Sequence, residues 1–194
     1  MTPFLSILLV LAAAPAAAPP APASLAAQEL DYTPVFDAER EPVCIWDVIL
    51  ADQDHGSRMT MAMAVKLCTD HFKWTPALQS KAIAIARITG ESLGARDEAV
   101  AEGVSESDQA KFFESVTDAE RASIGTVNGP MTPERTAALR GIAQRILALG
   151  LSEEAAQKLG AATIYRARMF NLIIDFLRTK ETGTTAPMPL NISR

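Results

Sequence analysis

Two cysteines are the residues whose chemistry the sequence defines best. Cys44 lies 12 residues before Gly56, and Cys68 lies 12 residues after it. If Gly56 is the tip of a helical hairpin, the two cysteines face each other at equal height, within the roughly 7 Å that a disulfide needs between Cα atoms. If one helix continues through Gly56, they are about 36 Å apart at 1.5 Å per residue. We predict the hairpin and a Cys44–Cys68 disulfide. A redox-catalytic role is not indicated, because the chain has no C-x-x-C pair.

Soft metal ligands are concentrated in the same segment, which contains His55, Met59, Met61, Met63, Cys68 and His71. Thioether, thiolate and imidazole groups are the ligands that select Cu(I). On a continuous helix His55, Met59 and Met63 would form one stripe at positions i, i+4 and i+8. The alternative is that the methionines fill gaps in a helical core. We favour core packing, and copper binding by His55, Met59 and Met63 stays the competing hypothesis.

Arg166 is the most unusual charged residue, because helical spacing places it on an apolar stripe between Ala162 and Phe170. In one interpretation its aliphatic stem packs on apolar neighbours while the guanidinium reaches water. In the other, the guanidinium is desolvated and either pairs with a buried carboxylate or holds a small anionic ligand.

No catalytic motif is present. The sequence contains no serine-histidine-acid pattern, phosphate-cradling glycine loop or HExxH. We predict a non-catalytic interaction or structural protein that needs no cofactor and has a protein partner of unknown identity. A copper carrier using segment 55–71 and a small anionic ligand binder around Arg166 are the alternatives.

Charge is distributed unevenly along the chain. The formal net charge is −5, which does not favour a nucleic-acid partner. Residues 91–121 contain nine acidic and three basic side chains, whereas residues 133–180 contain four acidic and eight basic ones. This pattern predicts two solvated faces of opposite sign in one fold, or a basic patch that meets an acidic partner or lipid surface.

The N-terminus is typical of an export signal. Residues 1–27 contain no Asp, Glu, Lys or Arg, and an apolar run over Phe4–Ala14 passes into small residues ending at Ala26. The run is shorter than the roughly 20 residues of a membrane-spanning helix, which argues against the alternative of an uncleaved anchor. We therefore predict a signal peptide over residues 1–26 and a periplasmic or secreted mature chain without a transmembrane segment.

We predict that the mature chain is all-α. We predict a polar lead-in over 27–42, a single helical domain over 43–180 and a disordered tail over 181–194. The domain is an irregular helical bundle of about five to seven helices. Apolar spacing and start and stop signals predict long helices over Val43–Asp54, Ser57–Asp70, Pro76–Thr89, Pro133–Leu149 and Glu153–Thr179, with two or three short helices between 92 and 124. The buried stripe of the last helix is predicted to contain Ala155, Leu159, Ala162, Phe170, Ile173 and Leu177.

Overall fold

Helices account for nearly all the regular structure. The computed structural model describes residues 34–53, 55–56, 58–125 and 129–183. A 3-10 helix over Ala38–Val43 leads into seven α-helices: α1 (Cys44–Gln53), α2 (Met61–Phe72), α3 (Pro76–Ala101), α4 (Glu106–Ser115), α5 (Asp118–Ile124), α6 (Pro133–Leu147) and α7 (Glu153–Thr182). These ranges contain no strand, so the prediction of an all-α bundle is confirmed. The predicted signal peptide, residues 27–33 of the lead-in and residues 184–194 of the tail lie outside the described residues. None of the described helices is both long and apolar enough to cross a bilayer.

Hydroxyl side chains begin most of the helices. The N-cap Oγ atom accepts a hydrogen bond from a first-turn backbone N–H at Thr60, Thr75, Ser105, Thr117, Thr132 and Ser152. Each cap satisfies one of the N–H groups that a helix start leaves without an intrahelical partner. The helix starts predicted at Pro76 and Pro133 are confirmed, each with a threonine as N-cap, and Thr117 forms a capping box with Glu120.

Helix α3 does not stop at Gly90, where the sequence predicted its end. It continues to Ala101, and the face of the helix at Gly90 packs against the indole of Trp46. A Cβ atom at Gly90 would lie 3.5 Å from Trp46 Cζ3. Glycine weakens a helix interior by about 1 kcal/mol relative to alanine. Here packing on a neighbouring helix outweighs that local preference.

The core consists of two clusters. The first cluster joins α1, α2, the first half of α3 and the end of α7, and contains Ile45, Val48, Val65, Cys68, Trp74, Ile85 and Phe176. The second cluster joins the end of α3, α4, α5, α6 and the start of α7, and contains Ala99, Phe112, Phe113, Val116, Ile124, Ile142, Ile146 and Leu159. Helices α3 and α7 pack along each other and take part in both clusters.

The buried side of α7 changes along the helix. The predicted stripe is wrong at Phe170 and Leu177, whereas Ile173 packs against the first core cluster. Ala155, Leu159 and Ala162 are buried as predicted, but Phe170 is 47% exposed and Leu177 is 44% exposed. Phe176, which the stripe omitted, is fully buried. The prediction of one continuous apolar stripe assumes that the helix packs against the same neighbours along its whole length. Because α7 passes from the second cluster to the first, its contact face turns with the partner.

Both ends of the helical region are tied together by a buried carboxylate. Glu41, in the 3-10 helix, is 3% exposed and accepts hydrogen bonds from Trp74 Nε1 at 2.8 Å and from Lys180 Nζ. A second ion pair, between Lys81 and Asp175, joins α3 to α7. Buried charges are tolerated when they are paired in this way.

Candidate functional site

The predicted disulfide is present. Cys44 Sγ and Cys68 Sγ are 2.00 Å apart, and the Cα atoms are 6.1 Å apart. Both cysteines are buried in the first cluster, where the bond fastens the start of α1 to α2. Because both sulfur atoms are used, Cys68 is not available as a thiolate ligand.

The turn between α1 and α2 confirms the hairpin at Gly56. Gly56 has a φ of +102°, a backbone conformation that glycine adopts without strain. The carboxylate of Asp52, which is only 3% exposed, accepts a 2.5 Å hydrogen bond from the backbone N–H of Met59. Asp52 therefore connects the end of α1 to the residues that precede α2.

The hairpin separates the residues of the copper hypothesis. His55 lies in the turn, Met59 precedes the N-cap of α2, and Met63 lies in the first turn of α2. The helical stripe that would have aligned them does not form. Met59 packs against the first core cluster, as the core interpretation predicts. Within the described ranges, no three His, Cys, Asp or Glu side chains are grouped to hold a metal ion. Copper binding remains an untested prediction.

Helices α3, α4 and α7 enclose a cleft of about 290 Å³. Its apolar lining comes from Leu93, Ala110, Phe113, Leu159, Ala162 and Met169, and its polar lining from Ser92, Arg96, Glu106, Gln109, Thr163 and Arg166. Two guanidinium groups and one carboxylate are therefore placed around an apolar floor. Ligand sites in proteins commonly combine an apolar cavity with a few polar groups that orient the ligand.

Arg166 brings positive charge to this cleft. Its guanidinium carbon lies 4.4 Å from the centre of the Phe113 ring, a cation–π arrangement. No carboxylate of a described residue forms an ion pair with it, so the buried ion pair considered from the sequence is not found there. Arg166 is instead exposed at the cleft, which agrees with a packed stem and a solvated head.

Arg121 lies beside the same aromatic ring as Arg166 but differs from it in its hydrogen-bond partners. Arg121 also lies over the Phe113 ring, at 5.3 Å. Its guanidinium is engaged within the protein, by the Phe113 carbonyl at 3.1 Å and by the carboxylate of Asp118. Of these two arginines, only Arg166 keeps its hydrogen-bonding edge open to a ligand.

Arg96 and Glu106 form the other charged part of the cleft. Arg96 pairs with Asp97 at 2.9 Å and lies 3.9 Å from the carboxylate of Glu106. All three side chains are substantially exposed, so these contacts are weak in water. The lining thus has one guanidinium that is partly neutralised and one, on Arg166, that is not.

Gln109 is the polar residue of the cleft that sequence reasoning missed. It is 7% exposed, and its Nε2 atom donates to the carbonyls of Arg96 at 3.1 Å and Val104 at 2.9 Å. These bonds connect α4 to α3 at Arg96 and to the turn between α3 and α4 at Val104. In the sequence Gln109 is one polar residue in a polar helix, and no local signal marks it as buried.

Ion pairs elsewhere bring the acidic and basic segments together. Lys158 pairs with Glu98 at 2.9 Å, and Arg145 pairs with Glu120 at 3.0 Å. Burial alone would raise the pKa of Glu120, but hydrogen bonds from the Thr117 backbone and from Arg145 outweigh it and hold that pKa below its ordinary value. The opposite charges of the two segments are thus partly neutralised inside the fold.

Comparison of the chain with protein-family models, with curated proteins and with solved structures finds no match. The cleft supplies positive charge, hydrogen-bonding groups and an apolar floor, which together suit the binding of a small anion with an apolar body.

Proposed function

We propose that this chain is an exported, non-catalytic binding protein whose cleft between α3, α4 and α7 takes a small ligand with an anionic group. The observation that carries the proposal is the guanidinium of Arg166, which stacks on Phe113 at the cleft without an ion-pair partner among the described residues. Guanidinium groups bind carboxylate and phosphate oxygens through two parallel N–H donors. The contact with the Phe113 ring holds the guanidinium at the cleft before the ligand arrives.

The dimensions and lining of the cleft define the class of ligand. A cavity of about 290 Å³ is at the lower end of the range for small-molecule sites. Leu93, Phe113 and Leu159 provide apolar surface beside Arg166. A compact apolar body with one anionic group therefore matches the cleft better than a large or a cationic molecule does.

Export is part of the proposal. The N-terminal segment has the composition of a signal peptide, and disulfides persist mainly in oxidising compartments. The buried Cys44–Cys68 bond is therefore compatible with a periplasmic or secreted location. The protein partner predicted from the sequence would then be met in that compartment.

The test is a binding screen of the mature protein. Ligand-observed NMR would be recorded against small carboxylates, sulfonates and phosphate monoesters with apolar bodies of different sizes. We expect at least one compound whose apolar body fits a cleft of about 290 Å³ to bind. The variant Arg166→Ala should weaken that binding about 10-fold or more, because a hydrogen bond to a charged group contributes more than a neutral one.

Arg178→Ala is the matched control. Arg178 is an exposed arginine on the same helix, but it does not line the cleft. A general effect of positive charge would weaken binding equally in both variants, and that result would refute a site at Arg166. The proposal also fails if no compound of the panel binds the wild-type protein.

A further inference from the structure

One face of α7 carries large apolar side chains that the core does not cover. Phe170, Ile174 and Leu177 are spaced by four and then three residues, so they lie on one face of the helix. Phe170 and Leu177 are exposed and Ile174 is partly exposed. None of the three belongs to either core cluster or to the side chains packed against it. Exposed apolar side chains that share one face are typical of a surface for another protein.

One charged residue lies at each end of this apolar stripe. Arg166 is four residues before Phe170, and Glu181 is four residues after Leu177, so both continue the same helical face. Both side chains are exposed. Neither forms an ion pair with a residue that the structure describes. The open face of α7 over residues 166–181 therefore has an apolar centre, a cation at one end and an anion at the other.

The limits of this open face are set by the fold. Before Arg166, the residues on the same side of α7 are Leu159 and Thr163, which are buried and line the cleft. After Glu181, the helix itself ends at Thr182. A second helix laid on this face meets exposed side chains only from Arg166 to the end of α7, a length of roughly 22 Å at 1.5 Å per residue.

The order of the groups makes this face complementary to itself. Each charge is four residues from its apolar neighbour, so the pattern is symmetric about a point beside Ile174. If a second α7 lies antiparallel on the first, with a two-fold rotation axis at that point, Arg166 of each copy faces Glu181 of the other. Phe170 then faces Leu177, and the Ile174 side chains meet at the centre. Two-fold interfaces require this kind of match, because each contact occurs twice.

We propose that the chain forms an antiparallel, two-fold symmetric dimer through the α7 face of Arg166, Phe170, Ile174, Leu177 and Glu181. The apolar side chains supply the gain from burial. The ion pairs fix the orientation, because parallel packing would bring Arg166 against Arg166 and Glu181 against Glu181. A guanidinium has five N–H donors, so Arg166 can meet a carboxylate of the other copy and an anion in the cleft.

Sedimentation velocity of the full mature chain, recorded over a range of protein concentrations, tests the dimer. A single pair of helices buries less than the roughly 1,200–2,000 Å² of a stable interface. We therefore expect a weak, reversible dimer with a dissociation constant of about 10–500 μM. The apparent mass should rise toward twice that of the monomer as the concentration approaches about 500 μM. A monomer at that concentration would overturn the proposal.

Phe170→Ser tests the apolar centre of the face. We expect it to weaken dimerisation about 10-fold or more, since it removes a large part of the apolar surface that the dimer buries. Leu147→Ser is the matched control, because Leu147 is 72% exposed at the end of α6 and lies outside this face. Equal losses in the two variants would show that exposed apolar surface in general drives association, and would overturn the proposal.

A charge exchange tests the antiparallel register. Arg166→Glu and Glu181→Arg should each weaken dimerisation about 5- to 10-fold, because like charges then face each other twice. The double variant should return to within about 2-fold of wild type, since it restores both pairs with their signs reversed. Arg140→Glu, an equal change of charge at an exposed position of α6, should leave the dissociation constant within about 2-fold of wild type.

The outcome of the charge exchange is decisive even if one variant is unstable. Should Arg166→Glu fail to fold, as judged by its thermal unfolding, Glu181→Arg at the exposed end of the helix makes the same like-charge contact. A dimer that is unaffected by Glu181→Arg, or that the double variant does not restore, would overturn the antiparallel arrangement. Dimerisation needs no ligand in the cleft, so these results are independent of the test of the proposed function.

Discussion

Replacement of Phe176 by alanine tests which side of α7 is buried near its end. The sequence places Leu177 on the buried stripe, whereas the structure places Phe176 there with no exposed surface. The matched perturbation is therefore Phe176→Ala against Leu177→Ala, two truncations at adjacent positions of one helix.

The expected magnitudes follow from the surroundings of each side chain. The ring of Phe176 belongs to the first core cluster and meets the Trp74 indole edge-on, with ring centres 5.8 Å apart. Truncation of a buried phenylalanine costs about 3–5 kcal/mol, and loss of the aromatic pair favours the upper half of that range. Leu177 is 44% exposed, so its truncation removes roughly half of the 1.5–3 kcal/mol of a fully buried leucine and leaves no enclosed cavity. We expect about 4 kcal/mol for Phe176→Ala and about 1 kcal/mol for Leu177→Ala.

Urea unfolding with the disulfide intact measures both values. The urea concentration at the unfolding midpoint should fall about four times as far for Phe176→Ala as for Leu177→Ala. The dependence of the unfolding free energy on urea concentration should stay unchanged. The melting temperature should fall by roughly 8–16 °C and 2–4 °C, respectively, for a protein of this size. An equal loss, or a larger loss for Leu177→Ala, would show that the helix is rotated from the orientation described and would refute this reasoning.

Three further predictions concern the disulfide, the pH dependence and the N-terminus. Replacing both Cys44 and Cys68 by alanine should cost about 3–4 kcal/mol in urea melts, because the bond closes a loop with a sequence separation of 24; thiol titration of the denatured wild type without reductant should find no free thiol. The pKa of Glu120 lies below its ordinary value of 4.5, so its stabilising effect is complete above that value and is lost as the pH falls through the lowered pKa. Glu120→Gln should therefore lower stability at pH 7 and reduce the difference in stability between pH 7 and pH 3, and an unchanged pH profile would contradict this assignment. The intact mass of protein from its native host should place the mature N-terminus between Ser24 and Gln28, and a mass that retains Met1 would exclude cleavage.

Local signals in the sequence predict most of the helix starts and the hairpin correctly. Hydroxyl caps, Thr-Pro starts and the equal spacing of Cys44 and Cys68 around Gly56 each depend on residues close in sequence, and the structure agrees with them. The sequence predicts a start of α2 at Ser57, whereas the N-cap is Thr60. Several polar residues precede α2, so composition alone does not select one of them as the cap.

Tertiary partners account for what the sequence did not predict. Gly90 lies within α3 because Trp46 packs against it, and Phe176 replaces Leu177 in the core because α7 changes partner along its length. In the site, Arg166 is predictable from the sequence because a charge interrupts an apolar stripe. Gln109 offers no such contrast, because its burial depends on the approach of α3, whose Arg96 carbonyl accepts a hydrogen bond from its side chain.

The contact of Glu41 with Trp74 and Lys180 has a consequence for the order in which the chain becomes folded. Ribosomes deliver the N-terminus first, but the first core cluster is covered by Phe176, and Glu41 gains its cation from a residue 139 positions later. Until α7 emerges, the early helices lack both their cover and this buried ion pair. The nascent chain therefore completes its fold only near the end of synthesis. If the protein is exported as we propose, this delay leaves the fold incomplete during the interval in which a signal peptide can direct the chain across a membrane.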